Sequence, residues 1–186
     1  MKDIEIITQS ERIENLFEPY KSVIGNDYLG YRNHVYRTLS YAMHFLEGND
    51  TYRTLIETAL VYHDIALWTD KACAYLEPSE KLAVKDNIEK SWSLDSEALR
   101  AVIHWHHKIT TYKGPHKDPV EAVRKADWID ANRGKVRKGM QRIHIEKVEA
   151  ALPNEGFHQS LVRLAGENGG STMKGLFKVT RGIMKW

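Results

Sequence analysis

The sequence predicts a nearly all-α fold, and three observations carry that expectation. Apolar residues recur at the spacing of one helix face, strand-like alternation is scarce, and helix start and stop signals punctuate the chain. "SERIENLFEPYKSVI" has Ser10 as an N-cap and sets Ile13, Leu16 and Phe17 on one face. "YLGYRNHVYRTLSYAMHFLE" reads as a second helix ending before Gly48, and "DTYRTLIETALVYHDIAL" as a third, capped by Asp50. "WTDKACAYLEP" is a loop or short helix, after which "SEKLAVKDNIEK" is entered just past Pro78. "DSEALRAVIHWHHKI" carries an apolar stripe of Leu99, Val102 and Ile103, and "TTYKGPHKDP", with Gly114, Pro115 and Pro119, is loop. Asp118 as N-cap, Pro119 at the first helical position and Glu121 at N3 then open a helix running to Gly134. Residues 135–152 read as a further helix closed by Pro153, and "GENGGSTMKG" as a flexible connection to a basic, partly apolar tail. The sum is a compact bundle of about seven or eight helices without internal repeats.

A length of 186 residues makes one domain, residues 1–186, the expectation. Hydrophobic residues at 42% and charged residues at 28% are ordinary for a globular chain, which excludes a disordered or fibrous class. The first residues, "MKDIEIITQSERIENLF", mix acids into every possible apolar run, so neither a signal peptide nor a spanning helix is expected and the reading is cytoplasmic. Cys73, the single cysteine, reads as a small hydrophobe. The net charge of +2 is uneven: residues 131–186 hold 11 Lys plus Arg against 4 Glu, and the residues before them 16 against 21 acids. That basic end either favours a small anionic substrate or is a solvated face whose long stems cover apolar surface. Neither nucleic acid nor membrane is called for, and a homodimer is left open.

The helices in the middle of the chain carry polar residues where packing alone would not place them: His34, His63 with Asp64, His104 with His107, and Asp127. Asp64 is the most telling. Its neighbours Val61, Ile65, Ala66, Leu67 and Trp68 make the segment apolar nearly all round, and burying an unpaired carboxylate costs several kcal/mol. A counter-cation is the natural solution, and imidazole with carboxylate suits a borderline divalent ion. Further donors must come from other helices. His34 lies on the preceding helix, and Asp127 lies in "RKADWIDA", where Ala122 and Ala126 leave room for close helix approach.

The order His34, His63-Asp64, Asp127 in an all-helical chain resembles the HD-domain superfamily of metal-dependent phosphohydrolases, whose signature is H…HD…D. "NHVYR" is similar to the family's first histidine with its arginine three residues on, "YHDIA" to its HD motif, and "RKADWID" to its final aspartate. The resemblance covers residues 30–130 and leaves the basic part, 131–186, outside. It implies a divalent ion (Mn, Fe, Zn, Co, Ni or Mg) held by His34, His63, Asp64 and Asp127, one per chain with a second possible. It further implies hydrolysis of a phosphate ester or anhydride of a small metabolite or nucleotide by metal-activated water. Leu67 and Trp68 stand where several related nucleotidases carry an acid, and Ala66 where HDxG would have glycine, so neither a general acid nor a substrate carries over.

Within "HWHHK", His104 and His107 are three apart and share a helix face, while His106 points elsewhere. The expectation is that His104 and His107 face the pocket as phosphate ligands or proton donors, with Lys108 and Arg37 contacting the anion. For Lys108 the alternative is plain surface exposure, and for Arg37 pairing with an acid. Trp68, Trp105 and Trp128 read as core, and His44, His116, His144 and His158 as structural or exposed. Two other functions fit the same residues: an HD-fold di-iron oxygenase or metal-dependent hydratase, and a non-catalytic sensor stapled by its metal.

Overall fold

A computed structural model describes residues 3–171, 173–175 and 177. Among them there is no strand, and the helices are α1 (Glu11–Phe17), α2 (Lys21–Ile24), α3 (Tyr28–Phe45), α4 (Arg53–Tyr62), α5 (Ala66–Thr69), α6 (Leu76–Glu89), α7 (Ser96–Trp105), α8 (Lys117–Ala131), α9 (Arg142–Ala151) and α10 (Phe157–Gly169). With the four-residue turns α2 and α5 set aside, eight helices pack as one bundle. No helix among the described residues is long and apolar enough to cross a membrane.

The bundle is organised around α3. Nearly every residue from Gly30 to Met43 is buried, because α8 packs along one side and α4 along another. Gly30 is needed for this fit: a Cβ there would stand 2.8 Å from the Glu155 carbonyl oxygen, in the turn that leads into α10. The close approach seats Phe157 on the ring of His34, centroids 4.2 Å apart.

Several helix starts follow their caps. The Ser10 hydroxyl accepts the Ile13 N–H, and the Asp95 carboxylate accepts the N–H groups of Glu97 and Ala98 at 2.9 and 3.1 Å. Others differ from expectation. Asn49, not Asp50, caps the turn into α4, accepting the Thr51 N–H. α6 begins at Leu76, so Pro78 sits inside its first turn, where its missing N–H costs nothing. α8 starts at Lys117, one residue before the expected cap Asp118. His116 precedes it in a left-handed conformation, and Glu121 accepts the Tyr112 N–H and pairs with Arg124.

The helix expected over 135–152 is confined to Arg142–Ala151, and "GENGG" belongs to the end of α10 rather than to a flexible link. The basic tail beyond residue 177 lies outside the described residues.

The largest departure is in the helix expected to run through His63-Asp64. In a continuous helix the carbonyls of Leu60 and Val61 would accept the N–H groups of Asp64 and Ile65. Instead the Leu60 carbonyl accepts Nδ1–H of His63 at 2.6 Å, and the Val61 carbonyl accepts the Tyr31 hydroxyl at 2.9 Å. The Asp64 N–H donates to that same hydroxyl oxygen at 3.3 Å, and the Ala66 N–H to the Ser79 hydroxyl at 3.2 Å. Side chains inserted into the ladder therefore break α4 from α5 at residues 63–65.

Candidate metal centre

Five side chains from four parts of the bundle meet at this break. His34 comes from the middle of α3, His63 and Asp64 from the turn after α4, His106 from just past α7, and Asp127 from α8. Nε2 of His34 lies 3.0 Å from Nε2 of His63 and 3.5 Å from Oδ1 of Asp127. Nε2 of His63 lies 3.3 Å from Oδ2 of Asp64, and Nε2 of His106 3.5 Å from Oδ1 of the same carboxylate. His34, His63 and Asp127 each bring one donor atom within 4.8 Å of the others, as do His63, Asp64 and His106, and these buried groups could hold a metal ion.

The ring nitrogens pointing away from the cluster settle which atoms face it. Nδ1 of His34 donates to Oδ2 of Asp130 at 2.6 Å, Nδ1 of His63 to the Leu60 carbonyl, and Nδ1 of His106 to the Ile103 carbonyl at 2.7 Å. A carboxylate or carbonyl can only accept, so each neutral ring carries its proton on Nδ1 and turns a lone pair on Nε2 inward. With the three rings neutral, as metal binding requires, three lone pairs and two carboxylates converge. Oδ1 of Asp64 is buried without a hydrogen-bond partner, with Nε2 of His106 standing 3.5 Å from it. Acceptors gathered this closely and this far from water fit a cation.

The electrostatics agree. Burial works against a charge on His63, but the carboxylates of Asp64 and Asp127 outweigh it and push its pKa up to about 9. Burial likewise opposes ionisation of Asp64, yet His63 and His106 hold it well below the usual carboxylate range. Asp127 is pushed up, by burial foremost and by the neighbouring charge of Asp64. The site is nearly sealed: His34, His63 and His106 are 0–1% exposed, while Asp64 and Asp127 keep 6% and His107 8%, so these last three form its outer edge.

Of the eight residues expected at the site, the structure brings together His34, His63, Asp64 and Asp127, with His107 at the edge. Of the other three, His104 and Arg37 are corrected, while Lys108 is buried close enough to His107 for its charge to act on that ring. His104 lies on the outer side of α7, its side chain 44% exposed and its Nδ1 2.7 Å from Glu80. Arg37 is held away from any substrate: its Nε and an Nη bind the Asp130 carboxylate, and its other Nη donates to the carbonyls of Leu152 and Pro153. Lys108 is only 5% exposed, rather than a surface cation, and its carbonyl accepts from Arg124 and Trp128.

Two residues of the site escape the sequence reading, His106 and Asp130. For His106 the face argument fails because α7 stops at Trp105, so the 100° advance per residue no longer holds beyond it. For Asp130 a signal exists: it lies one helical turn past Asp127, and Arg37 lies one turn past His34, so the two pairs face each other when α3 packs on α8. The tryptophans are mostly structural. Trp68 packs on Tyr31 and donates to Asp27, and Trp128 donates to the His107 and Lys108 carbonyls. His158 supports the end of α8 by donating to the Asp130 backbone carbonyl.

Compared with family models, with curated proteins and with solved structures, the chain matches none. What fold and site define by themselves is an all-helical protein with a buried histidine–aspartate cluster able to take a metal ion.

Proposed function

We propose that the chain is a metal-dependent phosphohydrolase of the HD type, cleaving a phosphate ester or anhydride of a small metabolite or nucleotide. The observation that carries this reading is the convergence of His34, His63, Asp64 and Asp127 as inward-facing acceptors, in the order H…HD…D. A divalent ion bound there supplies Lewis acidity, polarising a phosphoryl oxygen and acidifying water. The chain's own residues do the rest. Asp130 and the carbonyls of Leu60 and Ile103 hold the three rings in the tautomer that ligates, the two carboxylates balance the charge of a divalent ion, and burial excludes bulk water. Three nitrogens with carboxylate oxygens favour zinc, iron, manganese, cobalt or nickel over magnesium.

The test is to strip the protein, reload it with each of these ions, and screen phosphomonoesters and nucleotides for phosphate release. Release with at least one ion, lost on stripping, is expected. Background release with every ion in a fully loaded protein overturns the reading.

One observation favours a second reading, an HD-fold di-iron oxygenase: the donors form two triads rather than one. Both triads share His63, however, and one imidazole lone pair serves one ion. The two triads therefore cannot each hold an ion in this arrangement, which favours a single centre. Elemental analysis separates the two, with about one ion per chain expected for the hydrolase and two irons for the oxygenase.

A further inference from the structure

His107 stands beside the cluster without belonging to it. Its Nδ1 lies 3.0 Å from Nε2 of His106 and 3.1 Å from the Tyr75 hydroxyl, and its Nε2 is buried with no hydrogen-bond partner. The chain after α7 is held in place here, since Trp128 donates to the His107 and Lys108 carbonyls and Arg124 to that of Lys108. A buried, unpartnered ring nitrogen on a pinned segment at the outer edge of the site needs a partner from elsewhere.

We propose that His107 is a ligand-binding residue whose Nε2–H donates to an oxygen of the substrate, and that Tyr75 sets the tautomer that makes this possible. The argument rests on the metal reading above. His106 commits Nδ1–H to the Ile103 carbonyl, so its only lone pair is on Nε2. Once that lone pair serves an ion, it is no longer an acceptor for His107, and Nδ1 of His107 is left with the Tyr75 hydroxyl as its partner. The Tyr75 hydroxyl also faces the Asp64 carboxylate; once that carboxylate serves the ion as well, Tyr75 donates its O–H to Nδ1, which places the ring proton on Nε2. A neutral N–H beside a cation suits a ligand that offers the ion one oxygen and His107 another, as a phosphoryl group or similar oxyanion does.

The test uses zinc-loaded, ¹⁵N-labelled protein with inorganic phosphate as the probe, read by long-range proton–nitrogen correlation of the histidine rings. The expected result is His107 protonated on Nε2 in the zinc form, with that resonance shifting as phosphate binds. Tyr75→Phe is expected to lose the single tautomer and bind phosphate about tenfold more weakly, the scale of one hydrogen bond, at unchanged zinc content. His107→Gln, which keeps an N–H near the Nε2 position, is expected to retain most phosphate affinity, and His107→Ala to lose it, again with zinc content unchanged. A zinc-loaded protein showing His107 protonated on Nδ1, or binding phosphate without moving His107, overturns this proposal alone. Failure of the unmodified protein to take up zinc overturns the metal centre and this proposal with it.

Discussion

The C-terminal ends of α4 and α7 are built alike. Each closes on a histidine whose Nδ1 proton returns to the carbonyl three residues earlier, His63 to Leu60 and His106 to Ile103, and each thereby turns Nε2 into the same cluster. They differ in the path of the chain beyond that histidine. After α4 the backbone turns for three residues and resumes as α5, its Asp64 N–H caught by Tyr31; after α7 the chain leaves the helix and is pinned by Trp128 and Arg124. His34 contrasts with both. Lying in mid-helix, where the carbonyls are already taken, it must borrow its acceptor from α8 in the form of Asp130. A histidine at a helix end is oriented by its own backbone, whereas one in mid-helix depends on a distant residue and on whatever holds that residue in turn.

The largest expected effect tests that dependence. Asp130→Asn leaves the buried Arg37 guanidinium without its carboxylate, and removing one partner of such a pair costs about 3–5 kcal/mol, measurable by urea unfolding. The same variant is expected to weaken metal binding by about 10–100-fold through His34, the usual penalty for losing a group that orients a ligand. A variant that binds zinc as tightly as the parent would show that His34 needs no outside support.

The likeness between the two helix ends is tested next. His63→Ala and His106→Ala are each expected to lower zinc affinity by at least about 100-fold, while His104→Ala changes it by less than about twofold. Should His104→Ala do the damage and His106→Ala none, the end of α7 has been assigned to the wrong ring.

Tyr31→Phe probes what sets the α4 end apart. It strips the acceptor from the Asp64 N–H and the donor from the Val61 carbonyl, both buried, at an expected cost of about 1–3 kcal/mol by thermal or urea unfolding. The corresponding change at α7, Trp128→Phe, removes one shared indole donor and is expected to cost about 1 kcal/mol.

The smallest effect is on pH dependence. Because the pKa of His63 is raised to about 9, its ring is protonated in the metal-free protein at neutral pH, and that proton must leave before Nε2 can ligate. Metal uptake at pH 7 is therefore expected to release close to one proton from His63, and affinity to rise with pH until about 9. Calorimetry in buffers of different ionisation enthalpy measures the release, and an affinity that stays flat from neutral pH up to about 9 would refute it.

Local chemistry made much of this visible in the sequence. Ser10 and the apolar spacing after it specify α1, Asp118-Pro119 marks the start of α8 to within two residues, and an HD pair among apolar neighbours marks a buried charge. Where the reading failed, at His104 and His106 and at Arg37, the error has one source. A face is inferred by extending an ideal helix and leaves out the partner that packs against it; at "HWHHK" the helix ends one residue too soon for that extension, and at Arg37 the partner is Asp130.

The sequence alone determined that the chain is helical, which residues bear metal-ligating chemistry, and in what order they come, because periodicity, caps and residue type are local properties. Tertiary packing decided the rest. Tyr31 from α3 breaks the ladder after α4, Asp130 from α8 takes the Nδ1 proton of His34, and α3 against α8 draws Arg37 into an ion pair rather than a pocket. Each of these depends on a hydrogen-bond partner far away in the chain, and which partner a buried donor finds is settled only when the helices pack.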